Sequence, residues 1–293
     1  MASAQGALAL KLTLGLIASL LLAAGLTMMK ARADALPIAR GRGMLRAILA
    51  WLCDPLWLGG LAVQTAGYAL YIFAQAGAPV SMMAVAMQGG VAFFVLLAVV
   101  LLGERARLWE WIGIGVFVVA ALMLAGSLGA GAAQSPPDVM RLLLSSLTGA
   151  AIASLLLLAP RLRQNGAAVA IASGIALGFA SLYTKPLADR LAAAEDLSAV
   201  AWSLMASPYS YLTVAANVAG LVMLQNSFAM ARGIIAMPLS SAMSNVVPII
   251  GGMAIFGERL PHDSYAAAMR LGAFALTIVT SAALAAGDLA PAR

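Results

Sequence analysis

A chain of 293 residues with 63% apolar and only 10% charged residues has too few charges to cover the surface of a soluble protein of its size. Its mean hydropathy of +0.98 places most of the chain against lipid or other apolar helices, and excludes disorder and collagen. One cysteine, Cys53, excludes an intrachain disulfide, and one histidine, His262, excludes a His-rich metal site. The net charge of +6 fits loops that touch anionic lipid rather than nucleic acid.

A bilayer-spanning helix needs about 20 mostly apolar residues. Nine stretches meet that length in chain order: 7–29, 55–75, 80–102, 108–128, 142–159, 166–185, 209–231, 235–256 and 264–286. Their continuous Leu, Ala, Val and Met runs lack the alternation of a barrel strand, and helices satisfy their own backbone groups in hydrocarbon. The expected fold is therefore an all-α integral membrane protein with about nine helices. Residues Lys11 to Ala33 also have features of a signal peptide, but Lys30 and Arg32 directly before the cut site disfavour cleavage, and the first helix is expected to be retained. The segment 34–54 carries Asp34, Arg40, Arg42 and Arg46, followed by apolar Ala47–Cys53 that is too short to span. It reads as a loop and an interfacial helix. Asp54-Pro55 then reads as a helix start, with Asp at the N-cap and Pro at the first helical position.

The Lys and Arg residues set the expected orientation. Lys30, Arg32, Arg40, Arg42, Arg46, Arg105, Arg107, Arg161, Arg163, Arg232 and Arg293 fall on one side, 11 of 17. That side should be cytoplasmic, with the N-terminus outside, in a plasma membrane of the bacterial inner-membrane type.

Segments recur at nearly one interval. Gly103-Glu104-Arg105 returns as Gly257-Glu258-Arg259 after 154 residues, Asp54-Pro55 as Ser207-Pro208 after 153, and Lys30 as Lys185 after 155. Spans one to four are thus expected to repeat as spans six to nine. A single linking helix, span five, turns the second set upside down, giving an inverted four-helix repeat. The divisions are 1–130 (first repeat), 131–163 (linker and span five) and 164–293 (second repeat), with Gly126–Pro137 as a flexible join.

The Leu102-Gly103-Glu104-Arg105 and Phe256-Gly257-Glu258-Arg259-Leu260 signatures, with a lysine closing the first helix of each half, resemble the drug/metabolite transporter superfamily of the EamA type. Members usually carry ten spans. The nine-span layout, with Ser207-Pro208, Gln225-Asn226 and Phe256-Gly257-Glu258, is similar to the NIPA-like magnesium transporter branch. The resemblance implies a permease working by alternating access, with a small-molecule substrate and no cofactor.

Polar residues inside the spans are the candidate site. Gln64, Tyr68 and Tyr71 share a helix face on span two; Asn217 and Gln225 are expected to share one on span seven; Gln88 lies on span three and Asn245 on span eight. Interhelical hydrogen bonds explain any one of them, at about 0.6 kcal/mol each; the set points to a substrate-binding cavity. Lys30, Lys185 and Arg270 are candidates for gating or charge recognition. Glu104 and Glu258, beside Arg105 and Arg259, are expected to anchor loops. All acids lie in loops or near helix ends, and Gln64 stands where the NIPA-like branch carries a carboxylate, which disfavours a Mg²⁺ site and favours a metabolite or amphiphilic organic solute. The readings that compete are a divalent cation carrier and a non-transporting membrane subunit. No catalytic or metal-binding residue is expected: HExxH, GxSxG and Walker A patterns are missing from the sequence. The expected partners are the solute and the bilayer, with no nucleic acid; a homodimer is left open.

Overall fold

The computed structural model describes residues 2–39, 43–127, 136–159 and 162–289. Among them every regular element is helical. In chain order they are α1 (Ala2–Ala33), α2 (Met44–Cys53), α3 (Pro55–Gln75), α4 (Val80–Ala86), α5 (Gln88–Leu102), α6 (Leu108–Gly126), α7 (Val139–Leu158), a 3-10 turn (Leu162–Gln164), α8 (Gly166–Ala192), α9 (Leu197–Ala206), α10 (Pro208–Met230), α11 (Gly233–Ile255) and α12 (Ser264–Leu289). Seven helical segments, with α4 and α5 counted as one, are long and apolar enough to cross a membrane. α6 and α12 carry the shorter apolar stretches Trp111–Ala120 and Ser264–Thr280. The protein is an all-α membrane protein. The join expected over 126–137 lies mostly outside the described residues, as do Arg40, Arg42, Arg161 and Arg293.

The chemistry expected of Asp54-Pro55 is present. Asp54 Oδ1 accepts the Trp57 amide at 2.9 Å, and Pro55 begins α3. Asp54 Oδ2 receives Arg32 Nε at 2.8 Å, which ties the end of α1 to the start of α3. The Trp57 amide bond and the Arg32 cation both hold this carboxyl below its usual range. Before it, α2 buries Ala47 and Trp51 and exposes Leu45, Leu49 and Leu52. Its ten residues rise about 15 Å, half the hydrocarbon thickness. The span expected over 80–102 is divided at Met87 into α4 and α5. α9 is an unexpected element: it precedes α10 as α2 precedes α3, and both its ends lie 153 residues after those of α2.

Helices pack in recurring pairs: α1 on α3, α8 on α10 and α11, α6 on α12, while α11 also packs on α4 and α5. Several glycines mark close approaches between helices. A Cβ on Gly25 would stand 2.5 Å from the Gly60 carbonyl oxygen, and one on Gly174 2.1 Å from that of Ser240. Gly67 abuts Leu21 and Leu22, and Gly220, 153 residues later, abuts Leu177. Small residues thus bring backbones together, as lipid-embedded helices require. Gly115 is different, because nothing lies within 4 Å of a Cβ placed there.

Two carboxylates join the early helices to the late ones. After α5, Gly103 adopts φ +67 and turns Glu104 toward the start of α11, where it accepts the amides of Gly233 and Ile234, both at 2.8 Å. After α11, Gly257 at φ +61 turns Glu258 toward the start of α4. There Glu258 accepts the Val80 amide at 2.5 Å, the Ser81 amide at 3.2 Å and the Ser81 hydroxyl. Both glutamates are anchors, as the sequence suggested, but each holds a distant helix N-terminus rather than a neighbouring arginine.

Gly25→Val should force α1 off α3 and lower the thermal midpoint in detergent, at a cost of about 1–3 kcal/mol. Gly115→Ala should be neutral or slightly stabilising, because it adds helix propensity without contact. Equal losses in the two variants would contradict this packing.

Candidate functional site

A cavity of about 150 Å³ lies between α1, α3, α4, α5, α8, α10 and α11. Its wall is made of residues that stand in pairs 153 to 155 apart in the chain: Leu22 and Leu177, Leu26 and Ser181, Gln64 and Asn217, Tyr68 and Leu221, Tyr71 and Leu224, Ala84 and Met237, Met87 and Ser240, Gly90 and Ser244, Val91 and Asn245. Ser19, Ala23 and Ser241 complete much of the remainder. The lining residues include neither a carboxylate nor a basic side chain.

Polar groups on the wall bond mainly to one another. Thr184 Oγ1 donates to the Ala180 carbonyl at 2.7 Å, so its 2.6 Å contact with Tyr68 is one in which the phenol donates. Tyr68 in turn accepts from Asn217 Nδ2 at 2.8 Å. The second Asn217 N–H goes to the Thr213 carbonyl at 2.9 Å. Tyr71 and Ser181 share a hydroxyl–hydroxyl bond at 2.5 Å, and Gln75 Nε2 donates to the Ser181 carbonyl at 3.2 Å. This network links α3, α8 and α10 across the cavity. On the facing wall, Asn245 Nδ2 donates to the Ser241 carbonyl at 2.6 Å and to its hydroxyl at 3.1 Å. Ser240 meets Ser173 at 3.2 Å, and Ser173 donates to the Gly220 carbonyl. Gln64 Oε1 is buried without a partner among the described residues.

Of the candidate residues, Gln64, Tyr68, Tyr71, Asn217 and Asn245 are brought together here. Gln88 begins α5, and its side chain lies outside the described set. Gln225 is buried on α10 but is not part of the lining. Eight residues advance a helix by about 800°, which leaves Gln225 roughly 80° round from Asn217; Leu221 and Leu224 occupy the cavity face instead. Ser241 and Ser244 line the wall beside Asn245, on one polar face of α11, whereas Ser19, Ser181 and Ser240 are wall residues that the sequence reading did not single out. A serine in an apolar helix reads as a packing residue, and its position opposite Gln64 or Tyr71 is not visible in one helix's periodicity.

The three charge candidates brace helix ends away from the lining. Lys30 Nζ donates to the Phe228 carbonyl at 2.7 Å and lies 3.9 Å from Glu104. It thereby supports the C-terminal turn of α10, a helix other than its own. Lys185 pairs with Asp189 at 2.8 Å, and Asp189 accepts the Gly77 amide at 2.9 Å. Arg270, 4% exposed, donates to the Ser127 carbonyl at 3.0 Å where α6 ends. Lys11 donates to the Ala76 carbonyl at the C-terminus of α3. Lys11, Lys30 and Arg270 meet carbonyls at helix ends, where backbone acceptors lack intrahelical partners, whereas Lys185 meets a carboxylate.

Chemically the cavity can bind and orient. It brings together amides, hydroxyls and aliphatic side chains, and no side chain among its lining forms a nucleophile–base pair. Asn217→Leu removes the bonds to Tyr68 and Thr213 and should cost about 1 kcal/mol of stability. A lowered thermal midpoint in detergent checks that loss, and an unchanged midpoint would contradict it. Comparison of the chain with protein families, curated proteins and solved structures found no match.

Proposed function

We propose that the protein is a permease, moving a small metabolite or amphiphilic organic solute across the membrane by alternating access. The observation that carries this reading is the cavity wall, built from residues one interval apart on α1–α5 and on α8–α11. A site with such a wall lies where two related sets of helices meet, and rocking of one set on the other would open it to either face. Equal spacing of α2 and α9, of α3 and α10 at their starts, and of the α4–α5 pair and α11 supports a duplicated unit. The two unit N-termini then face opposite ways, because one further span, α7, separates them. On this reading the spans number nine, with α6 and α12 included. The drug/metabolite transporter layout remains the family that the Gly-Glu-Arg signatures resemble. The excess of Lys and Arg around Lys30, Arg105 and Arg232 puts that end in the cytoplasm.

Glu104 and Glu258 are then the two closures. Each fastens one helix N-terminus across the interface, at opposite ends of the cavity, and releasing one should open one face only. The absence of a carboxylate from the lining ranks a divalent cation carrier below an organic solute carrier.

The test places a single thiol at Leu221 (Leu221→Cys with Cys53→Ala) in right-side-out and inverted vesicles. Glu104→Gln should raise labelling by an impermeant thiol reagent from the cytoplasmic face, and Glu258→Gln from the outer face. Increases from the same face in both variants would refute alternating access around this cavity.

A further inference from the structure

We propose that the cavity selects solutes whose polar end donates N–H hydrogen bonds, and that it rejects carboxylates and phosphates. This rests on the permease reading and names the substrate class of the same site.

The inference follows from the direction of each hydrogen bond in the wall. Asn217 and Asn245 each direct N–H groups at a backbone carbonyl four residues earlier, Thr213 and Ser241 respectively. A carbonyl can only accept, so turning either amide over would set oxygen against oxygen. Both amides are therefore pinned with nitrogen committed. Their Oδ1 atoms receive no hydrogen bond among the described residues. Tyr68 donates to Thr184, Ser244 to the Ser241 carbonyl at 2.9 Å, and Ser19 to the Leu16 carbonyl at 2.7 Å. These donors are engaged within the wall. Gln64 adds a third unpartnered amide oxygen. Its amide has no carbonyl pinning it, and so it and the Tyr71–Ser181 hydroxyl pair are left as groups that can still donate.

The remaining capacity of the site is thus mostly acceptor. A carboxylate or phosphate placed there would face amide oxygens with no lysine, arginine or histidine in the lining, and leaving water unpaired would be costly. An amine or a primary amide meets the opposite situation. Its N–H groups meet amide oxygens that the protein leaves unpaired, of which Gln64 Oε1 is buried, and a site built to pair such groups discriminates strongly against analogues that lack them. The rest of the wall is aliphatic, with Leu22, Leu26, Leu177, Leu221 and Leu224 suited to an apolar body. The tilted Tyr68 and Tyr71 rings, 5.6 Å apart, lie on the side that carries the hydroxyls.

Four probes of one body separate the alternatives: phenethylamine, phenylacetamide, phenylacetate and trimethylated phenethylammonium. The full-length Leu221→Cys, Cys53→Ala protein in proteoliposomes is labelled with an impermeant thiol reagent in the presence of each. Phenethylamine and phenylacetamide should slow labelling, at concentrations about tenfold lower than either of the others requires, a factor of ten being about 1.4 kcal/mol. Asn245→Leu should raise the phenethylamine concentration needed by about threefold to tenfold, the net worth of one such bond. Should that variant fail to insert, the four probes on the Leu221→Cys protein decide alone. Equal protection by the trimethylated probe would show that positive charge, not N–H donation, is recognised, and equal protection by phenylacetate would overturn the selectivity outright. Labelling that none of the four slows refutes the substrate class while the pathway stands. A thiol at 221 that labels from neither face refutes both the pathway and the class.

Discussion

A helix that begins inside or beside hydrocarbon leaves its first amides without partners, and water is too scarce there to supply them. The placement of Glu104 and Glu258 answers that constraint. Each carboxylate accepts two successive amides at the start of a helix remote in sequence, and the partial positive charge of that helix end favours the anion. Because α4 is capped from beyond α11, and α11 from beyond α5, neither helix start is complete without the other. The contact between the two sets of helices is therefore set at both ends by charge-assisted bonds, and it is filled between them by side chains that need only fit.

The same economy of buried polar groups shapes the cavity. Ser173 serves the Gly220 carbonyl, Ser227 the Gly166 carbonyl at 2.8 Å, and Lys30 the Phe228 carbonyl. Each side chain satisfies a backbone group or a neighbour first. What faces the cavity is the remainder, and that remainder is dominated by amide oxygens. Selectivity here comes from which half of each amide the backbone has already claimed.

Much of the fold was legible in the sequence. Each expected span coincides with helix, because runs of about 20 apolar residues leave few alternatives in a bilayer. Asp54-Pro55 was readable as a cap because both residues act within one turn. Tertiary partners were not readable. Lys30 reads as a gating or charge-recognition candidate, and it braces the end of α10; Glu104 reads as a loop anchor, and it holds Gly233 and Ile234. α9 went unseen, although Asp196 before it, whose side chain accepts the Ala199 amide at 2.7 Å, and Ser207-Pro208 after it bracket ten residues, eight of them apolar, much as the start of α3 brackets α2. In the site, face periodicity placed Gln64, Tyr68 and Tyr71 together, because steps of four and three stay within one stripe. It misplaced Gln225, because a step of eight drifts off it.

The recurring spacing of the helices does not extend to their side chains, and the difference gives the cavity its two characters. Where α3 presents Tyr68 and Tyr71, α10 presents Leu221 and Leu224; where α5 presents Gly90 and Val91, α11 presents Ser244 and Asn245. Phenols on α3 therefore stand in the chain where α10 has aliphatic carbon, and amide and hydroxyl on α11 where α5 has glycine and valine. Identical units would give a site with the same groups twice, suited to a symmetric ligand. Divergent ones give a wall with polar and apolar patches on alternating sides, which a solute with one polar end and one apolar body can match in one orientation. The two glutamate anchors diverge as well. Glu258 takes three bonds, one from the Ser81 hydroxyl, whereas Glu104 takes two amides and has Lys30 beside it. α4 and α5 are separated at Met87, on the cavity wall, while α11 runs unbroken through the corresponding Ser240. The early helices thus have a break at the site where α11 stays helical and instead carries Pro238 and Pro248, each of which removes one backbone hydrogen bond, so the two walls of the cavity give way at different points.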